Sequence, residues 1–386
     1  MDGGRIMRAV MSFSGGMDST SVLIRLIDEG YKIDCISFNY GQKHIIEIEK
    51  ASQNINYLKQ KGYDITHKIV DLSSAMSIFH SSLTDDDLPI PEGYYEENQM
   101  KSTVVPNRNA IFSSIIYGYA LSIVAREDVD VKIALGVHSG DHAIYPDCRP
   151  EFYQSLESSF RVGNWESNRV DFYLPYIDGD KITILNDAMK SCDNIGVDFD
   201  IIFSNTITSY NPDSSGRSSG KSGSDIERIL AFKALGRRDP IEYVDSWENV
   251  LQNAIFVEKQ YKDEEYRRRL NDIQYEVTRN SATEPPFTGE YWDEKRNGEY
   301  FCICCGHKLF TSEMKYDSGC GWPSFFTEDD NASIEQVEDR SYGMHRVEVK
   351  CSKCDAHLGH IFNDGPVNKG GMRYCINSAS MDFKEE

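Results

Sequence analysis

Ser14-Gly15-Gly16-Met17-Asp18-Ser19 is the stretch on which the reading of this chain turns. It follows a short apolar strand, Ala9-Val10-Met11, with Phe13 close behind, and precedes an amphipathic run, Ser21-Val22-Leu23-Ile24-Arg25-Leu26-Ile27. Strand, glycine-rich turn and helix start, in that order, make an anion cradle. Backbone N–H groups converge at the turn, and the positive end of the helix dipole adds to them. The glycines let the backbone approach an oxyanion, and the serine hydroxyls add donors. The Walker pattern GxxxxGK[ST] is not met, because no Lys follows at the required place.

Working outward, Ile33-Asp34-Cys35-Ile36-Ser37-Phe38 and Val131 to Val137 read as strands, Val170 to Ile177 is strand-like, and Ala110 to Ala125 reads as a buried helix. Strands alternating with helices predict a doubly wound α/β parallel sheet, with ligands at the carboxyl ends of the strands.

The chain has 386 residues, 40% hydrophobic and 27% charged, with a formal charge of −21. Such acidity argues against nucleic acid as a partner, since a phosphate backbone wants a basic surface. Small anions in local positive pockets remain compatible with it. No apolar run approaches the ~20 residues of a membrane span, and the amino-terminal run leads straight into the glycine loop, so a cytoplasmic protein with no membrane partner is expected. Cysteine usage is lopsided: Cys35, Cys148 and Cys192 are scattered, whereas Cys302, Cys304, Cys305, Cys320, Cys351, Cys354 and Cys375 crowd the end. In a reducing compartment such crowding reads as metal ligation or redox catalysis. The expected division is a domain over 1–245, a charged helical linker over 246–265 and a second domain over 266–386.

The order Ser-Gly-Gly-X-Asp-Ser resembles the pyrophosphate loop of the ATP-pyrophosphatase superfamily, the adenine-nucleotide alpha-hydrolase-like fold. Asn39-Tyr40-Gly41-Gln42 with His44 and Glu47, Val105-Pro106-Asn107-Arg108-Asn109, Gly136-Val137-His138 and Tyr145-Pro146-Asp147-Cys148-Arg149-Pro150-Glu151-Phe152 resemble the signature blocks of the 7-cyano-7-deazaguanine synthase family of the queuosine pathway. The resemblance implies ATP-dependent adenylation of 7-carboxy-7-deazaguanine, displacement by ammonia, and dehydration of the amide to the nitrile. It implies phosphate contacts from Ser14, Gly15, Gly16, Asp18 and Ser19, with Asp18 also placing Mg²⁺. Lys181, expected in a loop, resembles a phosphate-contacting Lys of the superfamily; read blandly, it is a solvated surface Lys. Arg108 and Arg149 are candidates to meet a carboxylate or phosphate through a planar fork, or else are structural ion-pair partners. Tyr40, Gln42 and Asn109 join the substrate-binding set, and His44, Glu47, His138 and Asp141 are candidate proton carriers. Cys148 reads as a packed small residue.

Members of that family usually carry four zinc-binding cysteines near the end of the domain. Here Ser209, Ser219, Ser222 and Asp225 stand in those places, and serine hydroxyls are poor zinc ligands, so no zinc is expected there. Ser222 or Ser224 before Asp225-Ile226-Glu227 looks instead like a helix start. The departure opens two alternatives to the synthase reaction: a zinc-less deazaguanine ligase acting on another amine, small molecule or protein, and a non-catalytic nucleotide-binding module.

Beyond the charged stretch the chain becomes rich in aromatics, Gly and Cys, and alternations such as His345-Arg346-Val347-Glu348-Val349 predict antiparallel strands in a small, mainly-β domain. Two Cys-x-x-Cys pairs, Cys302/Cys305 and Cys351/Cys354, predict a closed Zn²⁺ site, a redox dithiol being the alternative. Ser318-Gly319-Cys320-Gly321-Trp322-Pro323-Ser324-Phe325, His357-Leu358-Gly359-His360-Ile361-Phe362-Asn363-Asp364-Gly365-Pro366 and Arg373-Tyr374-Cys375-Ile376-Asn377 resemble methionine-R-sulfoxide reductase B, with Tyr342 where that family often has His. The resemblance implies that Cys375 attacks the sulfoxide sulfur of free or protein-bound methionine sulfoxide and that His360 protonates the departing oxygen. Cys320 then resolves the sulfenic acid to a disulfide, which a thioredoxin-like dithiol reduces. Trp322 and Phe362 would form the methyl pocket, and His357, Asp364 and Asn377 would position the rest. Arg373, two residues from Cys375 on one strand face, is expected to help ionise it. A second copy of the chain is among the candidate partners.

Overall fold

The computed structural model of the protein describes residues 7–43, 45–85, 87–88, 92–93, 101–138, 140, 145–209, 212–328, 332–343 and 345–386. The chain divides into two compact units, residues 1–258 and 259–386.

In the first unit, strands β1 (Arg8–Ser12), β2 (Lys32–Asn39), β3 (Ile65–Asp71), β4 (Val131–Ala134) and β5 (Val170–Tyr173) form a parallel sheet in the order β3-β2-β1-β4-β5. Its helices are α1 (Met17–Asp28), α2 (Ile46–Gln60), α3 (Ser73–Met76), α4 (Arg108–Glu127), α5 (Pro150–Gly163), α6 (Lys181–Ile195), α7 (Phe199–Ser204) and α8 (Gly223–Ala234). Period-two alternation divides the central strands between two cores. Ala9, Met11, Ile33 and Cys35 pack with residues of α1, α2, α6, α7 and α8, whereas Val10, Ile36, Phe38 and Ile133 pack with residues of α4. This is the doubly wound α/β sheet that the alternation predicts. Within it Arg8 of β1 meets Asp34 of β2 at 2.6 Å, both buried, and Thr66 of β3 bonds the other Asp34 oxygen.

The strand order reverses between β1 and β4, and a ligand crevice opens where such a sheet reverses. The Phe13–Gly16 and Leu135–His138 loops meet there. Gly15 has φ +85°, and a Cβ on it would fall inside contact distance of the Glu47 carbonyl oxygen. Gly136 lies so close to α1 that a Cβ would stand 2.9 Å from the Ser19 nitrogen. Hence the run read as one strand to Val137 pairs only as far as Ala134. The expected buried helix is longer, Arg108–Glu127, and hides one face, with Ser113, Ile116, Tyr117, Ala120, Ile123 and Val124 buried. Lys181, expected in a loop, is the first residue of α6, because Asp180 caps that helix by accepting from the Thr183 N–H, and it is buried.

The charged stretch forms α9 (Trp247–Arg269), followed by α10 (Asp272–Asn280), which Asn271 and Gln274 cap reciprocally. The second unit is antiparallel. A six-stranded sheet runs in the order β10 (Ile334–Asp339), β11 (Arg346–Cys351), β12 (His357–Phe362), β13 (Arg373–Ile376), β9 (Ser324–Phe325), β8 (Lys315–Tyr316). A three-stranded sheet has the order β14 (Met381–Glu385), β6 (Gly298–Cys302), β7 (Lys308–Thr311). Phe310 and Phe325 stack at 4.1 Å in a core with Tyr300, Leu358 and Ile376. Among the described residues no helix is long and apolar enough to cross a membrane.

Candidate functional site

The crevice above β1 and β4 is a cleft of about 230 Å³ lined by Ser14, Gly16, Asp18, Ser19, Tyr40, Arg108 and Asn109, among others. Gly16 caps α1 without any side-chain hydrogen bond, so the first-turn donors face the loop. The Ser14 and Ser19 hydroxyls stand 3.0 Å apart, Ser14 Oγ accepts the Gly16 N–H, and Ser19 Oγ donates to the Gly16 carbonyl. Lys181 Nζ lies 3.1 Å from Asp18 Oδ2 and 3.1 Å from His138 Nε2. Burial pushes the Asp18 carboxyl up, but Lys181 and His138 outweigh that and hold it below the ordinary range. Residues from β1/α1, the β4 loop and α6 are thus joined at one point.

Arg108, at the start of α4, reaches the Tyr40 hydroxyl at 3.3 Å, with its guanidinium over the Tyr40 ring. Gln42 does not line the cleft; it is buried and orients Glu47. Its oxygen takes the Tyr40 N–H, and its amide nitrogen donates to the Phe38 carbonyl and to Glu47 Oε1 at 2.9 Å. Burial raises the Glu47 carboxyl to about 7 against the pull of Gln42 and Arg108. Asn109 donates toward Cys148, which lines the cleft and is buried. Arg149 is the exposed cap of α5 and is not among the residues lining the cleft. His44 and Asp141 lie outside the described residues. The sequence reading missed Phe112 and Tyr153, which also line the cleft; Phe112 stacks on Phe38 at 4.1 Å. Helical periodicity marks both only as apolar.

At the four positions where the resemblance has thiolates, Ser209, Ser222 and Asp225 converge and Ser219 does not; its neighbour Ser218 takes part instead. Asp225 is fully buried and accepts from Ser218 Oγ at 2.7 Å, Ser222 Oγ at 2.8 Å and Ser209 Oγ at 3.1 Å. Ser222 is the cap of α8, in a capping box with Asp225. The hydroxyls serve one carboxylate, which does not make a zinc donor set.

In the second unit Cys302, Cys305, Cys351 and Cys354 bring their sulfurs within 4.8 Å of one another. Each pair spans a turn at a strand end, closed by Gly306 N–H to the Cys302 carbonyl and Asp355 N–H to the Cys351 carbonyl. Cys302 and Cys354 sulfurs are 3.6 Å apart, and those of Cys305 and Cys351 3.5 Å. Four sulfurs ~2.3 Å from a tetrahedral Zn²⁺ would be spaced by about 3.8 Å, so the donor set fits zinc.

Cys375, on β13, is the register partner of His360 on β12 and of Ser324 on β9. Cys320 Sγ lies 3.8 Å from Cys375 Sγ. His360 Nε2 is 2.9 Å from Asp339, which Arg346 also holds at 2.6 Å. His357 Nδ1 is 2.6 Å from Glu348, while its Nε2 is buried without a partner among the described residues. Burial lowers the His357 pKa, with Glu348 opposing. Arg373 is forked onto Asp364 at 2.8 and 2.9 Å and stacks on the half-exposed Phe362. Asn377 is buried, and Trp322 donates its indole N–H to the Glu284 carbonyl at 3.0 Å.

Burial, and the Cys320 sulfur beside it, push the Cys375 thiol up to about 12; Arg373 opposes them with its charge and a hydrogen bond but does not outweigh them. Cys320, although partly buried, is held below the ordinary thiol range by the Ser318 and Ser324 hydroxyls. Asp339 and Glu348 were missed, since cross-strand partners are set by register and leave no local motif; Glu284 was missed because it reaches the turn after β13 from a loop far away in the chain.

Residues 8–236 match the family model "Queuosine biosynthesis protein QueC", and residues 270–385 match "SelR domain". A 7-cyano-7-deazaguanine synthase of Pseudoalteromonas translucida is 41% identical over 236 residues, covering 61% of this chain and 98% of the relative. The 7-cyano-7-deazaguanine synthase 1 of Colwellia psychrerythraea is 42% identical over 236 residues, covering 61% and 98%. The 7-cyano-7-deazaguanine synthase of Caldicellulosiruptor saccharolyticus is 41% identical over 237 residues, covering 61% and 96%. With the loop, cleft and four-cysteine cluster in place, the chain belongs to the QueC family through its first unit and is a fusion that carries a SelR domain in its second.

Proposed function

We propose that the chain is a bifunctional enzyme. The first unit activates 7-carboxy-7-deazaguanine with ATP, joins it to ammonia to give the amide, and dehydrates that amide with further ATP to 7-cyano-7-deazaguanine; the second reduces methionine-R-sulfoxide at the expense of a dithiol. The observation that carries the first reading is the meeting of Asp18, His138 and Lys181 beside the serine–glycine loop. Ser14, Ser19 and the loop N–H groups bind the phosphates, and Lys181 turns from Asp18 toward the leaving pyrophosphate. Asp18 is the residue that would hold Mg²⁺, which when bound neutralises charge on that leaving group. Arg108 orients the carboxylate being activated. Glu47, Gln42-held and protonated near neutrality, exchanges a proton with the incoming amine.

In the second unit the cysteine pair opposite His360 supports reductase chemistry. Cys375 sulfur attacks the sulfoxide sulfur, and His360, oriented by Asp339, gives its proton to the sulfoxide oxygen. The hydroxyl passes from that sulfur to the Cys375 sulfur as the bond between the two sulfurs breaks, so methionine leaves and Cys375 is left as a sulfenic acid. Cys320 displaces its oxygen as water to form the disulfide.

A second reading of the first unit rests on Asp225: with hydroxyls where the resemblance has thiolates, the unit adenylates the same acid but passes it to another amine. Pyrophosphate release that depends on 7-carboxy-7-deazaguanine tests the shared step, and nitrile formed from ammonium separates the readings. No pyrophosphate from active material refutes both.

A further inference from the structure

Glu284 is a buried carboxylate that none of the chemistry above uses, yet every polar group of the residue is committed to the reductase centre. Its two carboxylate oxygens accept the consecutive backbone N–H groups of Ser378, at 2.5 Å, and Ala379, at 2.9 Å. These open the turn that directly follows the strand bearing Cys375. Its backbone N–H donates to Asn377 Oδ1 at 3.0 Å, and its carbonyl takes the Trp322 indole N–H at 3.0 Å. Three residues on, the Phe287 N–H bonds the Gly321 carbonyl at 2.8 Å. Phe287 sits at φ +63°, and its ring would stand 2.9 Å from a Cβ on Gly321. Residues 284–287 therefore tie the loop of Cys320, Gly321 and Trp322 to the strand and turn of Cys375 and Asn377. Gly289 guards the same carboxylate: a Cβ there would fall inside contact distance of Ser378 Oγ and Glu284 Oε1.

We infer that Glu284 is a positioning residue that holds the Cys320 loop in reach of Cys375 and so sets the rate at which the disulfide closes. The inference rests on the reductase reading. The step it governs joins Cys320 sulfur to the sulfenic sulfur of Cys375, breaks the S–O bond, and releases the oxygen with the thiol proton as water. The two sulfurs must move from 3.8 Å to bonding distance, about 2 Å for a disulfide, and a loop cut loose from the strand samples that approach less often. Attack on the sulfoxide by Cys375 on β13, with His360 on β12 held by Asp339 on β10, does not need the Cys320 sulfur to approach.

The test uses the full chain, a single turnover with methionine-R-sulfoxide and no reductant, and time-resolved quenching. Methionine, trapped sulfenic acid and the Cys320–Cys375 disulfide are each followed by mass spectrometry. Glu284→Gln keeps the side chain's size but turns an amide donor toward a backbone donor. Expected is methionine formation near the wild-type rate, with disulfide closure slowed about tenfold or more and sulfenic acid accumulating, as loss of about an ångström of registration does elsewhere. Gly289→Ala, which displaces the same carboxylate, gives the same split. A disulfide rate unchanged in both variants overturns the inference. So does a parallel fall of both steps accompanied by zinc loss, which is the mark of a merely structural role. A wild-type chain that yields no methionine refutes the reductase reading, and the inference falls with it; methionine without the split refutes the inference alone.

Discussion

Cys320 and Cys375 present their sulfurs to one another at 3.8 Å, neither of them in a disulfide. They come from different places, one from the loop before β9 and the other from the middle of β13, and both are partly exposed. A sulfenic acid formed on Cys375 thus has a thiol beside it. Cys375→Ser is expected to abolish reduction of methionine-R-sulfoxide. Cys320→Ser gives one equivalent of methionine and then stalls with thioredoxin as reductant. Sustained turnover of Cys320→Ser with thioredoxin would contradict the assigned order.

Burial raises the Cys375 thiol, whereas the Ser318 and Ser324 hydroxyls lower that of Cys320. Alkylation of the resting protein with iodoacetamide near neutral pH should label Cys320 ahead of Cys375, read by peptide mass spectrometry. Asp364→Ala frees the Arg373 guanidinium and should speed labelling of Cys375. Equal labelling, with no change in Asp364→Ala, would contradict the electrostatics described.

In the cleft of the first unit, the raised Glu47 carboxyl carries a sign for stability. Its folded pKa, about 7, lies above its unfolded one, so burying it costs nothing at acid pH, where both states are protonated. The cost grows as pH rises, reaching about 3 kcal/mol above the folded pKa as an upper bound. Glu47→Gln removes the titration, so its Tm should gain on wild type between about pH 5 and about pH 8. A difference that stays constant with pH would show that Glu47 does not titrate in this range.

Metal content separates the two cysteine-related sites. The chain should bind one zinc, at the four-cysteine cluster, and Cys302→Ser should lose it along with the folded second unit, since such sites contribute roughly 10–16 kcal/mol of apparent binding energy. Asp225→Ala should leave zinc content unchanged but lower the stability of the first unit by about 3 kcal/mol, because three buried hydroxyls and a helix cap lose their acceptor. Elemental analysis and calorimetry check both; a second zinc bound, and lost in Asp225→Ala, would contradict the account.

The sequence was most legible where chemistry is written locally. The Ser14–Ser19 loop needs only a strand, two glycines and a helix start, and Cys-x-x-Cys closes a turn by itself, so both sites follow from neighbours in the chain. Residues supplied by register were illegible. Asp339 and Glu348 reach His360 and His357 only because β10, β11 and β12 pair as they do. Ser218 replaced Ser219 because one step along the chain reverses which side chain faces Asp225, a choice no spacing fixes. Arg373 does share a strand face with Cys375 and does oppose the rise of its thiol, but burial outweighs it, and i, i+2 spacing cannot reveal how deeply a thiol is buried. That Lys181 opens a helix is illegible because the cap at Asp180 carries no apolar signal.

The central claim is that each unit holds a complete catalytic centre of its own. One measurement tests it: mass spectrometry of a single mixture of the full chain with ATP, 7-carboxy-7-deazaguanine, ammonium, methionine-R-sulfoxide and a dithiol. Run with Lys181→Ala, the mixture should yield methionine but no 7-cyano-7-deazaguanine; run with Cys375→Ser, the nitrile but no methionine. Loss of both products from either substitution, or retention of the nitrile in Lys181→Ala, would contradict the account.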